Sequence, residues 1–158
     1  MQKLIVISYL LTIAVSRSIA DDPKKIENDR VIVVYYFCNT FRCPSCNSIE
    51  SLTKAAVLGG EAINQKTQKK LKVNAPYPNL VKSRKIKFIT INVDKKENEK
   101  YLIDFKTTAK LPVIVEMQGK KVLRYKIMNR VWKLLADNAA FVKYVQDELK
   151  EYAEPARK

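Results

Sequence analysis

Val31 to Phe37 reads VIVVYYF, an unbroken apolar run rich in β-branched and aromatic residues and bounded by polar ones. Such a run predicts a strand buried on both faces. Asn39 and Thr40 then begin a turn. Pro44 stands where a helix can start, because the N–H that proline lacks is unused in a first turn. Ile49, Leu52, Thr53, Ala56 and Val57 keep helical spacing, and Gly59-Gly60 stops that helix. Glu61 to about Leu71 predicts a short helix, and Asn74-Ala75-Pro76-Tyr77-Pro78-Asn79 a loop after it. Ile86 to Val93 sets apolar residues against Lys87 and Thr90 and predicts a second strand, ending at Asn92-Val93-Asp94. Asn98 to Phe105 predicts a helix with Tyr101, Leu102 and Phe105 on one face. Pro112 opens a strand over Val113 to Met117, Gln118-Gly119 turns the chain, and Lys121 to Ile127 returns it. Arg130 to Tyr152 predicts one long helix, striped by Val131, Leu134, Leu135, Phe141, Val145 and Leu149 and ended by Pro155.

The first half of this order needs a parallel crossover and the second half a hairpin. The expectation is one α/β domain over 31–152, a central mixed sheet of about four strands flanked by helices. A basic helix/loop insertion over 61–85 follows the first helix.

Composition adds size and charge. A chain of 158 residues with 47% hydrophobic and 29% charged residues supports one domain with a real core. The net charge of +14 is the outlier, and it favours anionic partners. Nucleic acid is the first candidate on charge alone, but the start of the chain argues against it. Lys3, the apolar stretch from Leu4 to Val15 and the small residues Ser18 and Ala20 read as an export signal over 1–20. That stretch is short for a membrane span, and an uncleaved anchor is the alternative. A polar, mobile lead-in over 21–30 follows, and a short tail, 153–158, closes the chain. The expected location is outside the cytoplasm, periplasmic or secreted, with no nucleic acid as partner.

The chemistry is concentrated in Cys38, Cys43 and Cys46. An odd number of cysteines, two of them three apart, is a redox or metal pattern and not a disulfide framework. Cys43 falls at the N-cap of the first predicted helix. Unpaired N–H groups and the positive end of the helix dipole there favour a thiolate and lower the thiol pKa. Arg42 adds a neighbouring cation, Pro44 stiffens the helix start, and Ser45 influences the redox potential. Cys46 lies one turn on and more buried, so Cys43 is the nucleophile and Cys46 the resolving thiol. Leu111-Pro112, ahead of the third strand, is expected to be a cis-proline facing the pair and offering a backbone edge to an extended substrate.

From Val31 to about Tyr152 the chain resembles the thioredoxin superfamily, through Cys43-Pro44-Ser45-Cys46, Asn92-Val93-Asp94, Leu111-Pro112 and Gln118-Gly119-Lys120. More narrowly it is similar to exported thioredoxin-like proteins of the nitrophenyl compound nitroreductase subunit ArsF family. Val34-Tyr35-Tyr36-Phe37, Arg42 to Cys46, Ile49-Glu50, Val131-Trp132-Lys133-Leu134-Leu135 and Phe141-Val142-Lys143-Tyr144-Val145 carry that likeness. The resemblance implies the fold and a dithiol site that exchanges disulfides with a protein or small molecule, with no cofactor beyond a Cys43–Cys46 disulfide. Two departures stand out. Arg42 replaces the usual Trp, and Phe37 and Thr90 fall at the positions of the superfamily's buried Asp and its Lys partner, leaving Glu50 or water as proton acceptor for Cys46.

Cys38 reads as a core residue, or as a third thiolate that with Cys43 and Cys46 could hold a soft metal ion or metalloid. A His often stands at its position in the narrower family. Trp132 reads as a packing anchor and Tyr35-Tyr36 as core. The lysines from Lys66 to Lys87 form a solvated face or a docking surface for an acidic protein or anionic surface.

Overall fold

The computed structural model describes residues 30–154. The expected export signal, the lead-in up to residue 29 and the tail from residue 155 lie outside them. β1 (Arg30–Cys38) runs parallel to β4 (Ile86–Asn92) and antiparallel to β5 (Pro112–Gln118), which hairpins into β6 (Lys121–Ile127). The sheet order is β4-β1-β5-β6. This is an α/β domain with a mixed four-stranded sheet, an arrangement compatible with the thioredoxin-like fold.

Alternation along β1 divides the core. Ile32, Val34, Tyr36 and Cys38 face α1 (Pro44–Leu58) and α5 (Asn138–Ala153). Val33, Tyr35 and Phe37 face the other way, onto Tyr101, Leu102 and Phe105 from α3 (Lys100–Asp104) and the residue after it. Both faces are buried, which is why the strand reads as a continuous apolar run. Gly59 ends α1 at φ 77°, its N–H donating to the Ala55 carbonyl at 2.8 Å. A Cβ on Gly59 would lie 2.9 Å from the Ala75 backbone nitrogen, so glycine is required there twice over.

Three expectations are corrected. The segment Glu61 to Leu71 is not a helix but a hairpin, β2 (Gly60–Asn64) with β3 (Lys69–Val73), followed by the short α2 (Pro78–Lys82). Ala62 and Asn64 are buried on alternate positions of β2. A polar residue in an inward slot hides the two-residue period that would have announced a strand. The long C-terminal helix is two helices, α4 (Val131–Leu134) and α5. Asp137 breaks it, because its extended backbone and a carboxylate accepting from Ala140 N–H at 3.0 Å make it the N-cap of α5. Trp132 is 41% exposed and so is not the packing anchor; Val131 and Leu135 fill that role.

The Leu111–Pro112 bond is also corrected. The described residues contain no cis peptide bond. The chain turns into β5 at Lys110, which takes a left-handed φ of 72° and donates its N–H to the Phe37 carbonyl at 2.6 Å. Pro112 is buried opposite Tyr36, and Leu111 packs against the α1-side core.

Candidate dithiol site

Loops after the parallel strands β1 and β4 meet at the C-terminal end of these strands, and they are tied together before α1 begins. Asp94 accepts from the Asn39 side-chain amide and from Thr40 N–H, both at 2.7 Å. These bonds, the Thr40 backbone one first, hold the Asp94 carboxyl below its ordinary pKa. Asn92 donates to the Thr40 hydroxyl at 3.1 Å and accepts from Asp94 N–H at 3.0 Å. The tied loop then presents Phe41, Arg42 and Cys43 outward.

Cys43 is the N-cap of α1, and its sulfur accepts from Cys46 N–H at 3.2 Å. Pro44 is the first helical residue. The Cys43 and Cys46 sulfurs are joined as a disulfide across a Cα–Cα distance of 5.1 Å. Cys43 is exposed and Cys46 is 3% exposed, so a partner sulfur reaches Cys43 alone. Ser45 is half-buried and Pro44 exposed on the same turn. The N-cap hydrogen bond and the helix dipole both stabilise negative charge on Cys43 when the disulfide opens.

A polar cluster underlies the pair. The Tyr36 hydroxyl donates to the Cys46 carbonyl at 2.8 Å. Burial, the largest influence, and the Glu50 carboxylate push its pKa up to about 12 against the pull of Arg42, so Tyr36 is a donor at any working pH. Arg42 pairs with Glu50 and lies 5.8 Å from the Tyr36 ring centre. Its cation is therefore shared with a carboxylate and is not reserved for Cys43. The other Glu50 oxygen accepts from the Thr90 hydroxyl at 2.5 Å. Glu50 is thus held by Arg42 and Thr90. Phe37, expected at the buried-acid position, faces the opposite layer; Tyr36 is the β1 residue beneath Cys46.

Cys38 is the free thiol, buried at the end of β1. Burial is the chief cause raising its pKa, Arg42 opposes it, and Glu50 and Asp94 add to the rise. Among the described residues no group of three or more His, Cys, Asp or Glu side chains is gathered for a metal ion, with Cys43 and Cys46 joined as a disulfide.

Phe41 and the contacts of the basic hairpin with α1 are not signalled by the apolar pattern of the sequence. Phe41 is 92% exposed, two residues before Cys43. An aromatic in a polar turn ahead of the first cysteine of the pair is its only signal in the sequence. Asn47 donates to the Gln65 side-chain carbonyl at 3.0 Å, and Lys66 N–H donates to the Ser48 hydroxyl at 3.2 Å. The tip of the basic hairpin is thereby fixed on the first turns of α1, beside the dithiol.

A mixed sheet of this order, with an exposed cysteine capping the first helix and a buried one a turn later, is an α/β dithiol architecture compatible with a thioredoxin-like fold. No protein-family model, curated protein or solved structure matches the chain. Among the described residues no helix is long and apolar enough to cross a membrane.

Proposed function

We propose that this protein is an exported thiol–disulfide oxidoreductase, or the electron-transfer partner of one, working through Cys43 and Cys46. The observation that carries the reading is the asymmetry of the pair: an exposed N-cap sulfur bonded to a buried one. A partner thiolate attacks Cys43 Sγ, the Cys43–Cys46 bond breaks, and Cys46 leaves as a thiolate that takes up a proton. The partner's second thiolate then displaces Cys43. Two electrons pass from the partner dithiol to the protein, the partner gains a disulfide, and the Cys43–Cys46 dithiol is left. The reverse sequence reduces a partner disulfide with Cys43 as attacking thiolate and Cys46 as resolving thiol.

Export rests on the reading of residues 1–20 as an export signal, and the resemblance to thioredoxin-like proteins supports a dithiol site. Phe41 supplies an apolar contact for a partner beside Cys43. The test is trapping. Cys46→Ala should accumulate a mixed disulfide with its partner in the compartment fraction outside the cytoplasm, and Cys43→Ser should not. No trapped species with Cys46→Ala, or equal trapping by both variants, rejects the reading.

A further inference from the structure

The β2–β3 hairpin carries a feature that disulfide exchange does not by itself use. β3 reads Lys69-Lys70-Leu71-Lys72-Val73 and forms a two-stranded sheet with β2 alone. Ile63 N–H donates to the Ser51 hydroxyl at 2.9 Å, so it points away from β3. Ile63 and its register partner Lys70 are therefore a non-hydrogen-bonded pair, and so, two residues on, are Glu61 and Lys72. The N–H and C=O groups of Lys70 and Lys72 consequently face outward along the free edge of β3. That edge borders an open groove against α5. Two concavities of about 560 and 350 Å³ run along it and share Leu71 and Ala139. Val73 and Val142 extend the apolar floor.

Charge selects the occupant. Lys66, Lys69, Lys70 and Lys72 are exposed, and among the described residues none of them makes an ion pair. Lysines protect a free edge against neutral strands, but they attract an acidic one. A lipid surface would meet the lysines, but it would leave the strand edge and the apolar groove unused.

We propose that the free edge of β3 docks an acidic, extended segment of the redox partner by strand addition. The segment's backbone pairs with Lys70 and Lys72, and its carboxylates meet the lysines. The hairpin tip is held against Asn47 and Ser48, so the docked segment ends beside the turn that carries Cys43. This rests on the oxidoreductase reading for its purpose, but not for its binding test.

The probe is a cysteine-free ten-residue peptide of alternating Glu and Val, followed by fluorescence anisotropy on the full chain. Its Gln/Val counterpart is the neutral control. Binding of the acidic peptide should be at least tenfold tighter, should weaken steeply with salt, and should vanish in Lys70→Glu/Lys72→Glu. Methylating alternate backbone nitrogens distinguishes strand addition from plain attraction. One of the two methylation phases should abolish binding and the other spare it, because only alternate residues face the edge. Equal binding of acidic and neutral peptides overturns the proposal, and so does indifference to methylation in both phases. Binding of phosphatidylglycerol vesicles that depends on these lysines, with no acidic-peptide binding, also overturns it in favour of a membrane surface. A disulfide-bearing version of the peptide links docking to exchange. The charge-reversed variant should lose its preference for that peptide while reducing bis(2-hydroxyethyl) disulfide at the wild-type rate. Loss of the small-disulfide reaction in wild type would sink the oxidoreductase reading and leave the docking result standing.

Discussion

Asn64→Ala is expected to destabilise the domain by about 2–4 kcal/mol, with one buried carbonyl as the main cause. The Asn64 side chain is fully buried and uses all of its hydrogen-bonding capacity. Its amide donates to the Leu135 carbonyl at 2.8 Å and to the Asn138 side-chain oxygen at 2.6 Å. Its oxygen accepts from Lys66 N–H at 3.1 Å and Thr67 N–H at 3.2 Å. Truncation costs differently at each end. Lys66 is exposed, Thr67 is half-buried, and Lys66 N–H also reaches Ser48, so water and existing contacts absorb much of that loss. Leu135 is 1% exposed, and its carbonyl would lose its partner in a dry setting, at about 1–3 kcal/mol. Adding about 1 kcal/mol for the turn gives the stated range, a large share of the 5–15 kcal/mol typical of a domain. Urea unfolding followed by circular dichroism should show a lower midpoint at unchanged m-value, with a melting temperature lower by roughly 8–15 °C. Asn64→Asp separates hydrogen bonding from packing. It keeps shape and acceptor but aims an oxygen at two other oxygens, so it should be at least as harmful as alanine. A loss below about 1 kcal/mol for Asn64→Ala, or near-wild-type stability for Asn64→Asp, refutes the reasoning.

Phe41→Ala should leave stability within about 0.5 kcal/mol, because the ring is exposed; exchange with a protein disulfide should slow by about five- to thirtyfold while a small disulfide reacts unchanged. In the reduced protein at neutral pH, iodoacetamide should label Cys43 first and leave Cys38 until unfolding, since burial raises the Cys38 pKa; early labelling of Cys38 in mass spectra would contradict this. Arg124→Ala should cost about 1–3 kcal/mol in a urea melt, because Glu116 is buried between Arg124 at 2.6 Å and Arg30 at 3.2 Å, and Arg124 also lies 4.3 Å from the Tyr152 ring centre. Asp94 has a depressed pKa when folded. Its contribution is therefore present above the unfolded aspartate pKa and is lost as pH falls through the lower folded value. Acid unfolding of Asp94→Asn should lack that component, and an acid limb identical to wild type would count against the loop tie.

Which parts of this could be read from the sequence follows from the range of the interactions. Cys43 and Cys46 are one helical turn apart, and local spacing places them correctly at the N-cap and a turn later. The strands β1 and β5 announce themselves because apolar residues fill most of their buried positions in sequence order. β4 shows only Ile86 and Ile91 inward, and β6, with no buried residue, is legible through the Gln118-Gly119 turn before it. The hairpin fails the same reading because Asn64 occupies an inward slot and its partners, Leu135 and Asn138, lie more than seventy positions away. Asp137 breaks the predicted long helix through a carboxylate that accepts from Ala140 N–H, a bond that apolar periodicity does not signal.

The floor of the dithiol site shows the sharper limit. VIVVYYF is apolar at every position, so nothing in it says which residues face α1 and which face α3. Counting back from Cys43 puts Phe37 under the site, but the count is valid only if the intervening loop has the family's usual length and path. Here that loop is set by Asn39 and Thr40 binding Asp94, across fifty-five and fifty-four positions. With the parity thus fixed, Tyr36 and Cys38 point toward α1, and Thr90, opposite Tyr36, reaches Glu50. A shift of one residue along β1 would exchange Tyr36 for Phe37 and remove the only hydroxyl that touches the Cys46 carbonyl among the described residues. Strand parity, not motif identity, therefore decides that the dithiol rests on a phenol beside an Arg42–Glu50–Thr90 chain. The residues that tune a cysteine pair from beneath are assigned by inter-strand register, which no spacing within one segment encodes.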